Sequence, residues 1–501
     1  MLTLLGMYQF LRKPNSNSAL ENWSPKPIWT KEELNLLKEL TFSSLPTCCV
    51  DDIVKKSDAF PLKFPTTTNK CAHLKLLVSE NVLNRNINSA YPVIHASVLK
   101  LCCDFLLYKR QHGSNREQKY YKNKNVMDLI NRLLVKRPAV FVGPDDKYLL
   151  LDGTFGRGSW ENIGTDYEKP PLTLDNYLSY DELKISSLLS ISSYTHFMNK
   201  GHRSNSGVYE EDRSAIEGEG IIIGIVGPRL PKTNAVENQE IIFSKQSQTK
   251  ENGFGKSVIN SIPKLFADFY GEECLDYKEM LKKKADDTQG RYVLLLKHEY
   301  IFDNIFYYKR LTISIDTLLG EANTRGKNAS KFSFLHVVGI GLGVWKISPH
   351  QDKAFMDAFA SRILSLGPKL HQISDICFAY INETKCGDFG NGEAIPIENH
   401  PNGGIRIHIQ NRHPHQKLIN EHEDKLLVVS YAWDGNSLPG NEYWSGSLRS
   451  SSDPAAACST QITELHNPHI NTRICADNLK IVTEGDVISL QDYLKTIPML
   501  L

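Results

Sequence analysis

Asp434, Glu442 and Asp453 put three carboxylates within twenty residues of one another near the end of a 501-residue sequence. Asp434 closes the apolar run Val428-Val-Ser-Tyr-Ala-Trp. A carboxylate at the carboxyl end of such a strand points into the crevice where α/β sheets bind ligands. The following segment, Gly435-Asn436-Ser-Leu-Pro-Gly440-Asn441, is made of residues that tolerate positive φ, so its N–H groups can turn inward and approach a ligand. Asp453-Pro454 followed by Ala455, Ala456 and Ala457 reads as an N-cap with proline at N1. A helix start there offers free N–H groups and a partial positive charge to a phosphate. Taken singly, Asp453 reads as a cap and Asp434 as a turn residue. Together with Trp433, Trp444 and the glycines, they predict a pocket.

Two other segments have suitable chemistry. Val337-Val-Gly339-Ile-Gly341-Leu-Gly343-Val-Trp345 follows one predicted strand and precedes a helix, so it could cradle phosphates. Its spacing is GxGxG and no P-loop lysine accompanies it; tight strand packing explains it equally well. Thr195-His196-Phe197-Met-Asn199-Lys-Gly-His-Arg203-Ser-Asn205 gathers an aromatic, amides, hydroxyls and an arginine. These suit base stacking and ribose or phosphate hydrogen bonds, or an ordinary well-bonded loop. His400, His408, His413, His415, His422, His466 and His469 show no zinc spacing, so structural or surface roles are expected and no metal or cofactor is assigned. No GxSxG elbow is present, which leaves a serine hydrolase unsupported.

The elements that must position these groups fall into two regions. Residues 1–135 read as mainly helical. Thr30 followed by Glu33 opens one helix as a capping box, Pro92 starts a second over Val93–Tyr108, and a third covers Asn125–Val135. The basic connector 109–124 reads as a solvated loop, and the apolar N-terminus Met1–Arg12 as a buried helical turn and a poor signal peptide. Residues 136–501 alternate between strands and helices. Ala139–Val142 and Tyr148–Leu151 flank the turn Gly143-Pro-Asp-Asp. Strands are expected at Gly220–Val226, Glu240–Phe243, Leu311–Ile315, Phe334–Gly339, Ile376–Ile381, Gly404–Ile409 and Lys425–Trp433. Helices are expected at Val258–Tyr270, His350–Leu366 and Pro454–Leu465, and a long polar loop at Glu383–Gly404. Several strands are apolar on both faces, so the fold class is a layered α/β domain.

Composition limits what else the chain could be. Fifty-eight basic against 57 acidic residues leave a net charge of +1, which gives no footprint for nucleic acid. No apolar stretch is long enough for a membrane helix. With 41% hydrophobic residues, wholesale disorder is excluded. Ten cysteines include the adjacent pairs Cys48-Cys49 and Cys102-Cys103 but no CxxC, which fits reduced core thiols in a cytosol-like compartment.

The motif pair Ser430-Tyr-Ala-Trp-Asp434-Gly-Asn-Ser-Leu-Pro-Gly-Asn-Glu442-Tyr-Trp and Ser452-Asp453-Pro-Ala-Ala-Ala-Cys-Ser-Thr resembles the arginine-specific macrodomain ADP-ribosyl hydrolases. That family includes MavL-like bacterial effectors and is distantly similar to poly(ADP-ribose) glycohydrolases. The likeness extends back through the glycine segment, Gly220-Ile-Ile-Ile-Gly-Ile-Val-Gly and Thr195-His-Phe, so it spans roughly 190–475. It implies a macrodomain-like mixed sheet flanked by helices, with ADP-ribose in a crest cleft. It further implies removal of ADP-ribose from arginine on a protein, ubiquitin being one acceptor, with Asp434, Glu442 and Asp453 around the distal ribose. Thr195, His196, Phe197, Asn199, Gly339, Gly341, Gly343, Asn436, Gly440, Asn441, Trp444, Ala455 and Ala456 are the implied ADP-ribose contacts, with Phe197 stacking on the adenine. Asp434 and Asp453 would position ribose and water, and Glu442 the guanidinium or the water. An effector would act in a host cytosol, its N-terminal helical region free to dock a host protein. The competing readings are a module that binds ADP-ribose without cleaving it, and a scaffold that docks a partner through residues 1–135.

Overall fold

The computed structural model describes residues 23, 25–45, 47–295 and 299–500; the turn expected at Met1–Arg12 lies outside them. Ten strands form one mixed sheet. In chain order they are β1 (Tyr91–His95), β2 (Leu189–His196), β3 (Glu219–Ile225), β4 (Ser333–Val338), β5 (Ile373–Ala379), β6 (Ala394–Pro396), β7 (Gly404–Ile409), β8 (Leu426–Ala432), β9 (Lys480–Val482) and β10 (Val487–Ser489). Their spatial order is β6-β7-β5-β4-β8-β3-β2-β1-β9-β10. The five strands β7, β5, β4, β8 and β3 run parallel, and β2 opposes β3. Strands β3 and β5 are buried along almost their whole length, as parallel strands covered on both faces must be. This is the layered α/β architecture that the sequence led us to expect.

One helix organises the sheet. The 26-residue α3 (Asn304–Ala329, numbered after α1, Ala96–His112, and α2, Val126–Val135) packs along β1, β3, β4, β5, β8 and β9. Asp303 caps it, its Oδ1 accepting from the backbone N–H of Ile305 (2.9 Å) and Phe306 (3.2 Å). Leu311–Ile315, expected as a strand, belongs to this helix. The alternating β-branched residues carry a strand signal, but α3 is buried nearly all round, so tertiary packing overrides local preference. The helix α4 (Gln351–Leu366) packs against α3, in the place expected for it.

The N-terminal region joins the same sheet. Tyr91–His95, on the N-terminal side of the boundary expected at 135/136, lies between β2 and β9. Pro92 is therefore in a strand rather than at a helix start. It pairs with Ile191 of β2 but lies beyond the pairing with β9, which begins at Val93. The helix begins at Ala96, where His95 Nδ1 accepts from the Ser97 N–H. The capping box at Thr30–Glu33 and the helix after Asn125 form as expected. The connector 109–124 is not a solvated loop. A helix occupies Asn115–Tyr121, and buried Lys109 bridges Glu117 (2.5 Å) and Asp181 (2.7 Å).

Smaller differences have local causes. Only Ile242–Phe243 of the expected strand at 240–243 is extended, and the helix in 258–270 begins at Ile262, capped by Ser261. The segment 454–465 divides into α5 (Ser452–Ala457) and a short helix Ile462–Leu465. The loop at 383–404 contains β6 and a two-stranded pair, Lys385–Cys386 with Phe389–Gly390. Among the described residues no helix is long and apolar enough to cross a membrane. Because α3 spans the sheet, Leu318→Ala at its fully buried centre should destabilise the protein by about 2–5 kcal/mol in chemical denaturation.

Candidate active site

The carboxyl ends of β3, β8 and β4 lie side by side, and the chain leaving each of them forms the crest of the sheet. After β3 comes Gly227-Pro228-Arg229, after β4 the loop Gly339–Gly343, and after β8 the acidic segment. The first two loops touch: a Cβ on Gly227 would lie 2.4 Å from the backbone nitrogen of Gly341, which itself has φ +75°. No side chain fits between them, so the glycines serve close backbone approach.

The acidic segment is folded around Asp453, which is 1% exposed. One of its oxygens accepts from the Gly440 N–H (2.7 Å) and the other from the Asp434 N–H (3.0 Å). Gly440 adopts φ +103°, which lets the loop turn back toward the helix. Next to it, Asn441 acts as a clamp. Its Oδ1 accepts from the Phe141 N–H (2.9 Å), while its Nδ2 donates to the Phe141 carbonyl (3.4 Å) and to Asp434 Oδ2. The acid is thereby tied to the hairpin Val140–Val142/Lys147–Leu149. The tip of that hairpin is held in turn, because Arg229 donates to the Gly143 carbonyl and to buried Asp146, both at 2.9 Å.

Two carboxyls remain for chemistry. Asp434 uses one oxygen on Asn441, and its buried Oδ1 has no partner within the described residues. Burial, and then the negative charge of Glu442, push its pKa up to about 8; Arg229 and Arg137 act against that rise. Glu442 is half-buried and accepts one hydrogen bond from the Ser451 hydroxyl (3.3 Å). Burial raises its pKa as well, while Ser451, Ser450 and Arg203 lower it. Arg137 lies 4.3 Å from the centre of the Trp433 ring and donates to the Gly435 carbonyl. Of the eleven buried side-chain polar atoms without a partner among the described residues, four belong to Arg137, Arg229, Trp433 and Asp434. Such atoms are rare in native proteins, so their concentration here marks a place built for a polar ligand.

A family model for MavL-like ADP-ribosylhydrolases matches residues 51–496. The chain belongs to that family. It is 39% identical over 456 residues to the ADP-ribosylarginine hydrolase CG2909 of Drosophila melanogaster, covering 89% of each chain. It is also 41% identical over 423 residues to the fly ADP-ribosylarginine hydrolase CG3568, covering 82% of each.

Within this ADP-ribosylhydrolase, the residues singled out from the sequence separate into two groups. Asp434, Glu442, Asp453, Asn436, Gly440 and Asn441 come together, with Ala455 and Ala456 on the adjoining α5. Asp453 is not the cap of that helix; Ser451 takes the N-cap position. Trp444 packs against Phe60 and Phe64, both at 5.1 Å, and its Nε1 donates to the Pro439 carbonyl, so it supports the loop from behind.

Thr195, His196 and Phe197 are at the other end of the sheet. Because β2 is antiparallel to β3, His196 pairs with Glu219 at the start of β3, away from the crest. Phe197 is fully buried and stacked on His415, ring centres 4.0 Å apart, so it has no face for a base. Thr195 Oγ1 accepts from the Gln461 N–H, and Asn199 closes the loop 199–208 by bonding to Asn205 and the Val208 carbonyl. From that loop Arg203 reaches back to the acidic segment, donating to the Ser450 carbonyl, and Asn205 Nδ2 donates to the Ala455 carbonyl (3.0 Å).

The histidines occupy structural positions. His466 bonds Ser193 and Tyr431, and His469 bonds the Val135 carbonyl. His408 and His422 converge with Asp375, but Lys425 Nζ already sits 2.5 Å from Asp375 and 3.0 Å from His422, supplying that cluster's cation.

Sequence reasoning passed over Arg137, Phe141, Asp146 and Arg229. Only Arg229 carried a signal, as the first charge after the Gly220–Gly227 strand and its turn. Asp434 also has a cost for the fold. Its carboxyl is held above the ordinary range, so between about pH 4 and pH 8 the unfolded chain loses this proton first and stability falls as pH rises. Asp434→Asn removes that cost: thermal melts should show a gain of about 1–3 kcal/mol at pH 9 and none near pH 4.

Proposed function

We infer that this chain hydrolyses the N-glycosidic bond joining ADP-ribose to arginine side chains of proteins. The observation that carries the reading is the carboxyl pair at the end of β8, Asp434 and Glu442, one with a free oxygen and both with raised pKa values. The two fly relatives, named for hydrolysis of ADP-ribosylarginine, support the choice of linkage.

The chemistry requires two different acids. Cleavage passes through an oxocarbenium-like transition state, which a nearby anion stabilises. Glu442 is the more open group and takes the ionised role. It holds the attacking water beside C1″, and the cationic guanidinium favours its charge. As water attacks C1″ the C–N bond breaks and its electron pair leaves with the guanidine. Glu442 accepts the water's proton and passes it to that nitrogen, giving ADP-ribose and arginine. Asp434, mostly protonated at neutral pH, donates from Oδ1 to a ribose hydroxyl. Asp453, with both oxygens committed to backbone, positions the loop rather than touching substrate. The diphosphate lies along Gly339–Gly343.

Ubiquitin is the acceptor we propose to try first, and a reducing cytosol is the proposed setting, in keeping with ten free cysteines of which eight are buried. Wild-type chain should release ADP-ribose from arginine-modified protein, and Asp434→Ala and Glu442→Ala should each lose about 10²–10⁴-fold in rate. Binding of ADP-ribose without any release would make the chain a reader and overturn the proposal. A separate expectation concerns pH. kcat/KM should fall as pH rises through about 8, where Asp434 loses its proton, and Asp434→Asn should remove that limb.

A further inference from the structure

Two loops meet beside Glu442, and each lends the other an arginine. Arg203, in the loop 199–208, donates to the Ser450 carbonyl, and Arg449 Nε donates to the Ser206 hydroxyl (2.6 Å). The rest of the contact is fixed as well. Asn205 Nδ2 donates to the Ala455 carbonyl, and the Thr68 hydroxyl donates to the Gly207 carbonyl (2.5 Å). On the acidic side, the chain leaves Glu442 and returns to it at Ser451, whose hydroxyl donates to the Glu442 carboxyl. Arg449 and Ser450 immediately precede that serine, so the exchanged arginines form one rim of the acid pair.

Both arginines are exposed, and among the described residues their bonds go to neutral oxygens, with no carboxylate paired to either. Other exposed arginines are neutralised within the chain, Arg85 by Glu219, Arg116 by Glu168 and Arg157 by Asp145. A neutral oxygen fixes where a guanidinium lies and leaves its charge to act outward. Side chains already held in place lose little freedom when an anion binds them. With a net charge of +1 the chain has no general attraction for an acidic partner, so this local field is what such a partner meets.

The same field discriminates between acceptors. Two cations beside Glu442 oppose the arrival of a basic segment, and carboxylates flanking the modified arginine reverse that sign. ADP-ribose carries its diphosphate at C5″ of the distal ribose and the arginine at C1″. With the diphosphate along Gly339–Gly343, it is the acceptor that lies against Glu442 and the rim.

We propose that Arg203 and Arg449 form a docking rim for the acceptor protein, selecting modified arginines that have acidic residues beside them. The assignment rests on the reading of the acids as an ADP-ribosylarginine hydrolase site. Two arginine-modified peptides test it, one with glutamate and one with lysine on both sides of the arginine, alongside ADP-ribosylarginine as the single amino acid. At low salt the full chain should favour the glutamate peptide by about 5- to 50-fold in kcat/KM, chiefly through KM. That ratio should shrink at about 1 M salt, where exposed charges are screened.

Arg449→Glu should abolish or reverse the preference, Arg203→Gln should lower it, and Arg449→Lys should keep its direction. The ratio of the two peptides is the decisive reading, because a clasp that only held the loops together would change both peptides alike. A ratio near one in wild type, or one that Arg449→Glu leaves unchanged, overturns the rim. Failure of wild type to release ADP-ribose from ADP-ribosylarginine overturns the reading of the acids, a separate result seen before the peptides are compared.

Discussion

The grip of Asp453 on two backbone amides sets the geometry of everything at the crest. Its oxygens hold the N–H groups of Asp434 and Gly440, and through them the whole turn between β8 and the short helix at Asn441–Ser445. Two donors on one carboxylate favour its anion, while burial and two neighbouring acids press the other way and keep its pKa raised. Release of either amide would let the loop swing, taking Asp434 from Asn441 and Glu442 from Ser451. A buried residue with both oxygens on backbone amides thus fixes the separation of the two carboxyls proposed to meet the substrate.

Electrostatics follow from that packing. Three carboxyls share one small region, and like charges so placed cannot all ionise cheaply. The environments divide the labour. Asp434, with a buried oxygen, keeps its proton, and the more open Glu442 is the group a cation can most easily turn into an anion. In the proposed reaction, the guanidinium of the substrate is the positive charge that would stabilise the Glu442 anion.

How much of this could be read in the sequence depended on whether the signal was local. Strand β8 and its terminal Asp434 were legible because an apolar run ending in a charge has one sensible reading, and the capping box at Thr30–Glu33 announced its helix directly. Strand β2 was not. Five of the eight residues of Leu-Ser-Ile-Ser-Ser-Tyr-Thr-His bear hydroxyls, and its buried serines are satisfied by distant groups such as Arg325 and His466. Missing that strand also hid its antiparallel direction, which is what carries Phe197 away from the crest. The middle of α3 misled for the converse reason, since a helix buried all round has no polar face to reveal its period.

The buried arginines explain why the crest needs the N-terminal third of the chain. Arg137 follows α2 and reaches the Gly435 carbonyl, while burial lowers its pKa to about 9. Arg229 anchors the hairpin tip through Asp146. Among the described residues each leaves one nitrogen without a partner, and each draws the pKa of Asp434 down from where burial alone would put it. A loop of glycines and asparagines could not hold two buried guanidinium groups beside three carboxyls unless rigid elements fixed both sets. Here those elements are the parallel strands on one side and the hairpin with α2 on the other. The geometry at the end of β8 therefore depends on residues 126–149 as directly as on the acidic motif itself.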